Sequence, residues 1–203
     1  MKNLALIAMV SSLSMPVLAE GFYVLGSVGQ ASVDGMEALY SGTQQTAPGF
    51  SSDQKNKSTA YKLQAGHQFS PYFALEGGYV NFGKASSRFS LPGIRKDAAY
   101  QAEGFNLVGV GIVPLNNQWS LFGKLGGVIA RVKVNDTMVN VGQQKNQSAS
   151  STDLRATWGV GANWDVTRNV ALRAEYEQFH KLGGGETGKA TVDMASLGVA
   201  YKF

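Results

Sequence analysis

The chain has 203 residues, with 18 Lys and Arg, 14 Asp and Glu, two His and no Cys, for a formal charge of +4. Without cysteine there is no disulfide framework, thiolate metal site, redox motif or cysteine nucleophile, and scattered cations at so mild a charge give nucleic-acid binding no footprint. Charged residues are only 16%, hydrophobic residues are 44% and glycines number 25, a balance that excludes disorder and weakens any helical reading.

Met1-Lys2-Asn3 is a short positive start, followed by an apolar run from Leu4 that fades towards Leu18 and ends on the small residue Ala19. This predicts a leader over 1–19, cleaved after Ala19, with 20–203 as the working domain. The run is too short for a spanning helix, which needs about 20 apolar residues. No later segment is long and apolar enough either, so a membrane crossing has to be made by strands.

From residue 21 onward the dominant period is two, the strand period. Tyr61, Leu63, Ala65, His67 and Phe69 alternate with Lys62, Gln64, Gly66 and Gln68. Leu154, Ala156, Trp158, Val160, Ala162 and Trp164 alternate with Arg155, Thr157, Gly159, Gly161 and Asn163. The last segment repeats the pattern, with Ala195, Leu197, Val199, Tyr201 and Phe203 on one face. Eight such segments are predicted, at 21–31, 58–69, 72–83, 99–113, 119–134, 151–164, 169–181 and 190–203. The joints alternate between short ones (70–71, 114–118, 165–168) and longer polar ones (32–57, 84–98, 135–150, 182–189).

This pattern predicts an all-β fold: an eight-stranded antiparallel transmembrane β-barrel with short periplasmic turns and four longer extracellular loops, in a bacterial outer membrane. A soluble sandwich also alternates, but its polar face would be rich in Lys and Glu rather than Gly, Ser, Gln and Asn. Aromatics gather near strand ends, where interfacial girdles sit: Phe69, Tyr72, Trp119, Trp164, Tyr201 and Phe203.

The chain resembles the OmpA-like transmembrane-barrel family (outer membrane protein A type). The residues that carry the likeness are Gln68-Phe69-Ser70-Pro71-Tyr72 with Leu75-Glu76-Gly77-Gly78-Tyr79, then Lys124-Leu125-Gly126-Gly127, Leu172-Arg173-Ala174-Glu175-Tyr176, and Ser196 to Phe203. The resemblance implies an interior ion pair between Glu76 and Arg173, with Lys124 at a further interior basic position. Where the family has a second Lys–Glu pair this chain has Val110 and Asn163, so both partners are replaced together. It also implies recognition of the terminal aromatic, Phe203, by the barrel-insertion machinery. Longer members continue into a periplasmic peptidoglycan-binding domain, a function not expected of a chain ending at Phe203.

On this frame the expected inward set is Lys62, Gln64, Gln68, Glu76, Asn106, Lys124, Arg155, Asn163, Arg173, Glu175 and Lys202, five basic and two acidic residues. It reads as a packed polar plug closed by Glu76 and Arg173 beside Lys124 and Glu175. The alternative is a gate in which Glu76 exchanges between Arg173 and Lys124 and opens a narrow water path. Lys84, Arg88, Arg95 and Lys96, against Asp97, make a net positive outer loop suited to lipopolysaccharide phosphates. His67 reads as an interfacial anchor, and His180 as a weak candidate base for a lipid A-modifying enzyme. No catalytic set, metal site or cofactor is expected.

The function expected is therefore an envelope-structural or surface-contact barrel, monomeric, in contact with outer-membrane lipids and lipopolysaccharide, with at most a narrow ion-pair-gated pore. An adhesin or receptor that takes a host or phage ligand on its loops is the alternative, and a lipid A-modifying enzyme stands behind both.

Overall fold

The computed structural model describes residues 21–34, 51–55, 57–91, 94–140, 143–184 and 189–203, with 34, 51–55, 87–91, 94–98, 135–140 and 143–147 described through the backbone alone. The expected leader at 1–19 lies outside the described residues. Among the described residues nine strands follow in chain order: β1 (Phe22–Asp34), β2 (Ser51–Lys55), β3 (Lys57–Ser70), β4 (Phe73–Leu91), β5 (Ile94–Pro114), β6 (Trp119–Asn140), β7 (Gln143–Asp165), β8 (Val170–Leu182) and β9 (Ala190–Lys202). β2 pairs with the outer part of β4, from Ser51 opposite Ser90 to Lys55 opposite Ser86, so it prolongs the stave that β3 begins. The result is eight antiparallel staves, closed where β1 runs against β9 from Tyr23–Lys202 to Asp34–Thr191 and where β4 pairs with β5. In the half of the barrel near the tight turns every stave is paired on both sides, as a strand barrel in hydrocarbon requires.

Tight turns join the staves at one end, and their polar residues have structural work. Asn116 Oδ1 accepts from the amides of Gln118 (2.9 Å) and Trp119 (2.8 Å), and Thr167 Oγ1 accepts from those of Asn169 (3.2 Å) and Val170 (2.9 Å). Such side-chain caps replace the ladder bonds that a turn gives up. The opposite end differs from the sequence expectation. Segments 84–98 and 135–150, expected as loops, are mostly strand: β4 runs to Leu91, β5 starts at Ile94, β6 runs to Asn140 and β7 starts at Gln143. Their polar residues hid the alternation because both faces of a hairpin standing clear of a membrane meet water. β5, β6 and β7 have 21, 22 and 23 residues, about twice the 9–11 that cross a bilayer.

The outer wall is apolar, with Leu125 71% and Leu154 72% exposed. The lumen holds three layers. Near the short turns lies an apolar cluster that includes Tyr23, Leu25, Val108, Val110 and Phe122. Towards the long hairpins lies a larger one that includes Val80, Phe82, Val132, Phe179, Leu182 and Met194, in which the Phe82 and Phe179 rings meet edge to face at 4.6 Å. Charged side chains fill the layer between. The polar plug expected from the sequence occupies only this middle layer, with apolar clusters on both sides of it. In stretches such as Leu107-Val108 both faces are apolar, so period two sets the alternation without saying which phase points inward.

Candidate functional site

The charged layer is built from six ionisable side chains, each at most 6% exposed: Lys62 on β3, Glu76 on β4, Lys124 on β6, and Arg173, Glu175 and Glu177 on β8. On β8 the alternation Arg173, Glu175, Glu177 places all three on one face. Glu76 Oε1 accepts from Arg173 Nη1 (2.5 Å) and from the Tyr23 hydroxyl (2.5 Å). Lys124 Nζ lies 2.8 Å from Glu76 Oε2, 2.7 Å from Glu175 Oε2 and 3.8 Å from Glu177 Oε1. Lys62 Nζ contacts both Glu175 and Glu177. Arg173 Nε also donates to Asn163 Oδ1 (2.7 Å), and its guanidinium sits over the Phe122 ring, 4.5 Å from the centroid.

Three cations thus face three carboxylates, and each cation touches at least one acid. Taking a charge out of water costs several kcal/mol, about as much as a well-made pair returns, so a balanced layer is tolerable where a lone charge is not. Two glycines make room for it. A Cβ on Gly66 would collide with the ring of Tyr23, and one on Gly161 with the ring of Phe122. Those two rings flank the Glu76–Arg173 pair, so the glycines set its position.

Among the sequence-predicted interior residues, Lys62, Gln64, Glu76, Asn106, Lys124, Arg173 and Glu175 are buried in the lumen. Gln64 Nε2 donates to Asn106 Oδ1 (3.2 Å). The expected imbalance of five bases to two acids is not found in the buried layer. Lys202 lies at the short-turn mouth, 2.6 Å from Asp165 with both side chains about one-third exposed. Arg155 lies towards the long-hairpin end, where Nη2 donates to the carbonyl of Gly183 (2.7 Å). Gln68 and Asn163 are half-buried and line a vestibule of about 190 Å³ at the mouth, which has Arg173 in its wall.

Two members were missed. Glu177 follows Glu175 by two residues, so the strand period alone could have found it. Tyr23 was obscured because Phe22 and Val24 on the other face are equally apolar. Val110 is fully buried, in the apolar layer near the short turns.

The girdle candidates Phe69, Tyr72, Trp119, Trp164, Tyr201 and Phe203 are all exposed at the short-turn end. Trp119 and Trp164, opposite each other in register, stack at 5.7 Å, and Tyr201 meets Phe203 edge to face at 5.1 Å. His67 packs between Phe22 (4.3 Å) and Phe69 (4.5 Å) on the outer wall, and His180 is exposed. Of the predicted lipopolysaccharide set, Lys84 is exposed on the outer wall. The side chains of Arg88, Arg95 and Lys96 lie outside the described residues, and their backbones pair as Arg88–Asp97, Phe89–Lys96 and Ser90–Arg95. Among the described residues no group of three or more His, Asp or Glu side chains is arranged to hold a metal ion.

The model of the OmpA-like transmembrane domain matches residues 18–203. The chain belongs to that family. Outer membrane protein A of Klebsiella pneumoniae is 29% identical over 140 residues, covering 68% of this chain and 39% of the relative. Outer membrane protein A of Escherichia coli O157:H7 is 31% identical over 140 residues, covering 68% of this chain and 37% of the relative. The chain therefore spans about two fifths of the length of the curated relatives it matches. Among solved structures, Neisserial surface protein A superposes with a TM-score of 0.51 at 15% identity, covering 91% of this chain and 98% of that one. OmpA-like membership makes this a barrel of the bacterial outer membrane, and in such barrels the short turns are periplasmic and the long hairpins face outward.

Proposed function

We propose that the protein is an envelope-structural barrel with a sealed lumen, which carries its β4–β5 and β6–β7 hairpins outside the bilayer as a contact surface. The observation that carries this reading is the balanced ion-pair layer lying between two apolar clusters. Exchange of Glu76 between Arg173 and Lys124 would rearrange the middle layer only. Phe82, Phe179, Leu182 and Met194 would still exclude water from the half above it. An ion would meet an apolar plug however the charged side chains paired, and this argues against the simple gate.

Single-channel recording of the folded chain in a planar bilayer tests the reading. We expect no discrete steps from the wild type or from Glu76→Ala, and small steps only when Glu76→Ala is joined to Phe82→Ala and Phe179→Ala. Steps from Glu76→Ala alone would replace the sealed barrel with an ion-pair-gated pore.

A surface receptor or adhesin is the second reading, favoured by the lengths of β5, β6 and β7. Replacing 87–98 and 135–147 with tight turns is expected to abolish ligand or cell contact while the barrel still folds. Unchanged contact would remove this reading.

A further inference from the structure

The outer wall of β4, β5 and β6 carries a charge arrangement unlike that of the lumen. Along β4 the even-numbered positions face inward as far as Phe82. A β-bulge then shifts the register between Asn81 and Lys84, with Gly83 at φ 76° and its amide donating to Asn81 Oδ1 (2.9 Å). Beyond it Ala85 is inside and Lys84 is outside. An unbroken alternation would have pointed Lys84 into the apolar plug. The extra residue re-aims it, which is what bulges do.

Lys84 comes to lie opposite Gln101, Gln101 opposite Lys133, and Glu103 opposite Arg131. Together with Asn81 these side chains line a depression of about 350 Å³. Its one acid is already engaged: Glu103 Oε2 accepts from the Tyr79 hydroxyl (2.7 Å), which itself accepts from Asn81 Nδ2 (3.1 Å). Among the described residues, Lys84, Arg131 and Lys133 form no ion pair.

The depth of the depression in the membrane follows from its neighbours. One outward-facing position closer to the bilayer centre on each strand stand Tyr79, Phe105 and Ile129. Tyr79 packs against Phe105 (5.5 Å) and Tyr61 (6.2 Å) as an aromatic girdle. The depression therefore sits where headgroups meet hydrocarbon on the outward side. Across the barrel the position beyond Tyr176 is Gln178, which is bonded to Trp158 Nε1 (3.1 Å) and Asp193 (3.0 Å) and so is satisfied within the protein.

We propose that Lys84, Arg131 and Lys133 bind the phosphate of a phosphorylated glycolipid in the outer leaflet, with its acyl chains lying along Phe105, Leu107 and Ile129. Three unpaired cations at headgroup depth supply charge-assisted donors, and the guanidinium of Arg131 can hold two phosphate oxygens at once. Glu103 stays ionic, but it is turned to the Tyr79 hydroxyl and makes no ion pair with Arg131, so three cations outnumber the single acid in the depression. This site rests on the outward orientation of the long hairpins. Protease cleavage of those hairpins on intact cells tests that orientation separately, so its failure is distinguishable from failure of the site.

The test uses the full protein purified from outer membranes in mild detergent, with bound lipid counted by native mass spectrometry. The probes are bis-phosphorylated lipid A, the same lipid without phosphates, and inorganic phosphate. Wild type is expected to retain the phosphorylated lipid, and the triple variant K84Q/R131Q/K133Q to lose affinity by about tenfold or more. Arg131→Lys should keep part of the binding, and Lys181→Gln, on another wall, all of it. Folding is checked by heat-modifiable gel mobility. If the triple variant does not fold, Arg131→Gln and Lys133→Gln singly must each weaken retention. Undiminished retention by these variants, or equal retention of the dephosphorylated lipid, overturns the proposal. Inorganic phosphate bound as tightly as lipid A also overturns it, because that describes a free-anion site.

Discussion

The lumen and the outer wall of this barrel treat charge in opposite ways. Inside, Lys62, Lys124 and Arg173 face Glu76, Glu175 and Glu177, all nearly inaccessible. Outside, Lys84, Arg131 and Lys133 outnumber the one acid of their depression, Glu103, which accepts a hydrogen bond from Tyr79. The same residue types follow different rules because their surroundings differ. Enclosed charges can be balanced only by other protein groups. Charges at the membrane surface can be balanced by lipid phosphates and solvent counterions, so the chain itself need not supply the partner.

The contrast can be broken most sharply from inside. Glu76→Ala would leave Arg173 with Asn163 and an aromatic ring but without its acid, at a cost of about 3–5 kcal/mol. The expected readout is a lower urea midpoint for unfolding from lipid vesicles. Replacing the pair together, as Glu76→Leu with Arg173→Met, should recover most of the loss. If the double variant is no better than the single, the pair is not acting as a balanced unit.

Overpacking is the next largest effect. Gly66→Ala or Gly161→Ala would displace the Tyr23 or Phe122 ring, costing about 1–3 kcal/mol by the same midpoint. Lys62→Met should cost less than Glu76→Ala, because Lys124 Nζ remains within reach of both Glu175 and Glu177. An equal cost would mean that Lys62, not Lys124, is the main partner of those acids. Smallest in stability, and most telling for the contrast, is salt. High salt should leave the urea midpoint nearly unchanged while weakening lipid A retention, because enclosed pairs are screened far less than surface charges. Parallel loss of both would erase the distinction between the two regions.

Much of this was legible in the chain. Alternation such as Leu154 to Trp164 gave eight staves, the short joints gave one end of the barrel, and the run Arg173, Glu175, Glu177 had its face written in its spacing. The resemblance placed Glu76 against Arg173. The polar hairpin ends look like loops in the sequence because a strand with water on both faces has no hydrophobic period to display. Sequence proximity groups Lys84 with Arg88, Arg95 and Lys96. Arg131 and Lys133, some fifty residues on, join Lys84 only through the β4–β5 and β5–β6 registers.

Period two along the chain set the strands, and a polar face of Gly, Ser, Gln and Asn, aromatics near the strand ends and the OmpA-like motifs pointed from strands to a membrane barrel. Which phase of each strand points inward, and with it the apolar plug above the charges, follows only from the closed barrel. So does the single bulge after Phe82 that turns Lys84 outward. Inward phase and bulge placement depend on which side chains meet across a closed lumen, and those meetings exist only once all eight staves are in register.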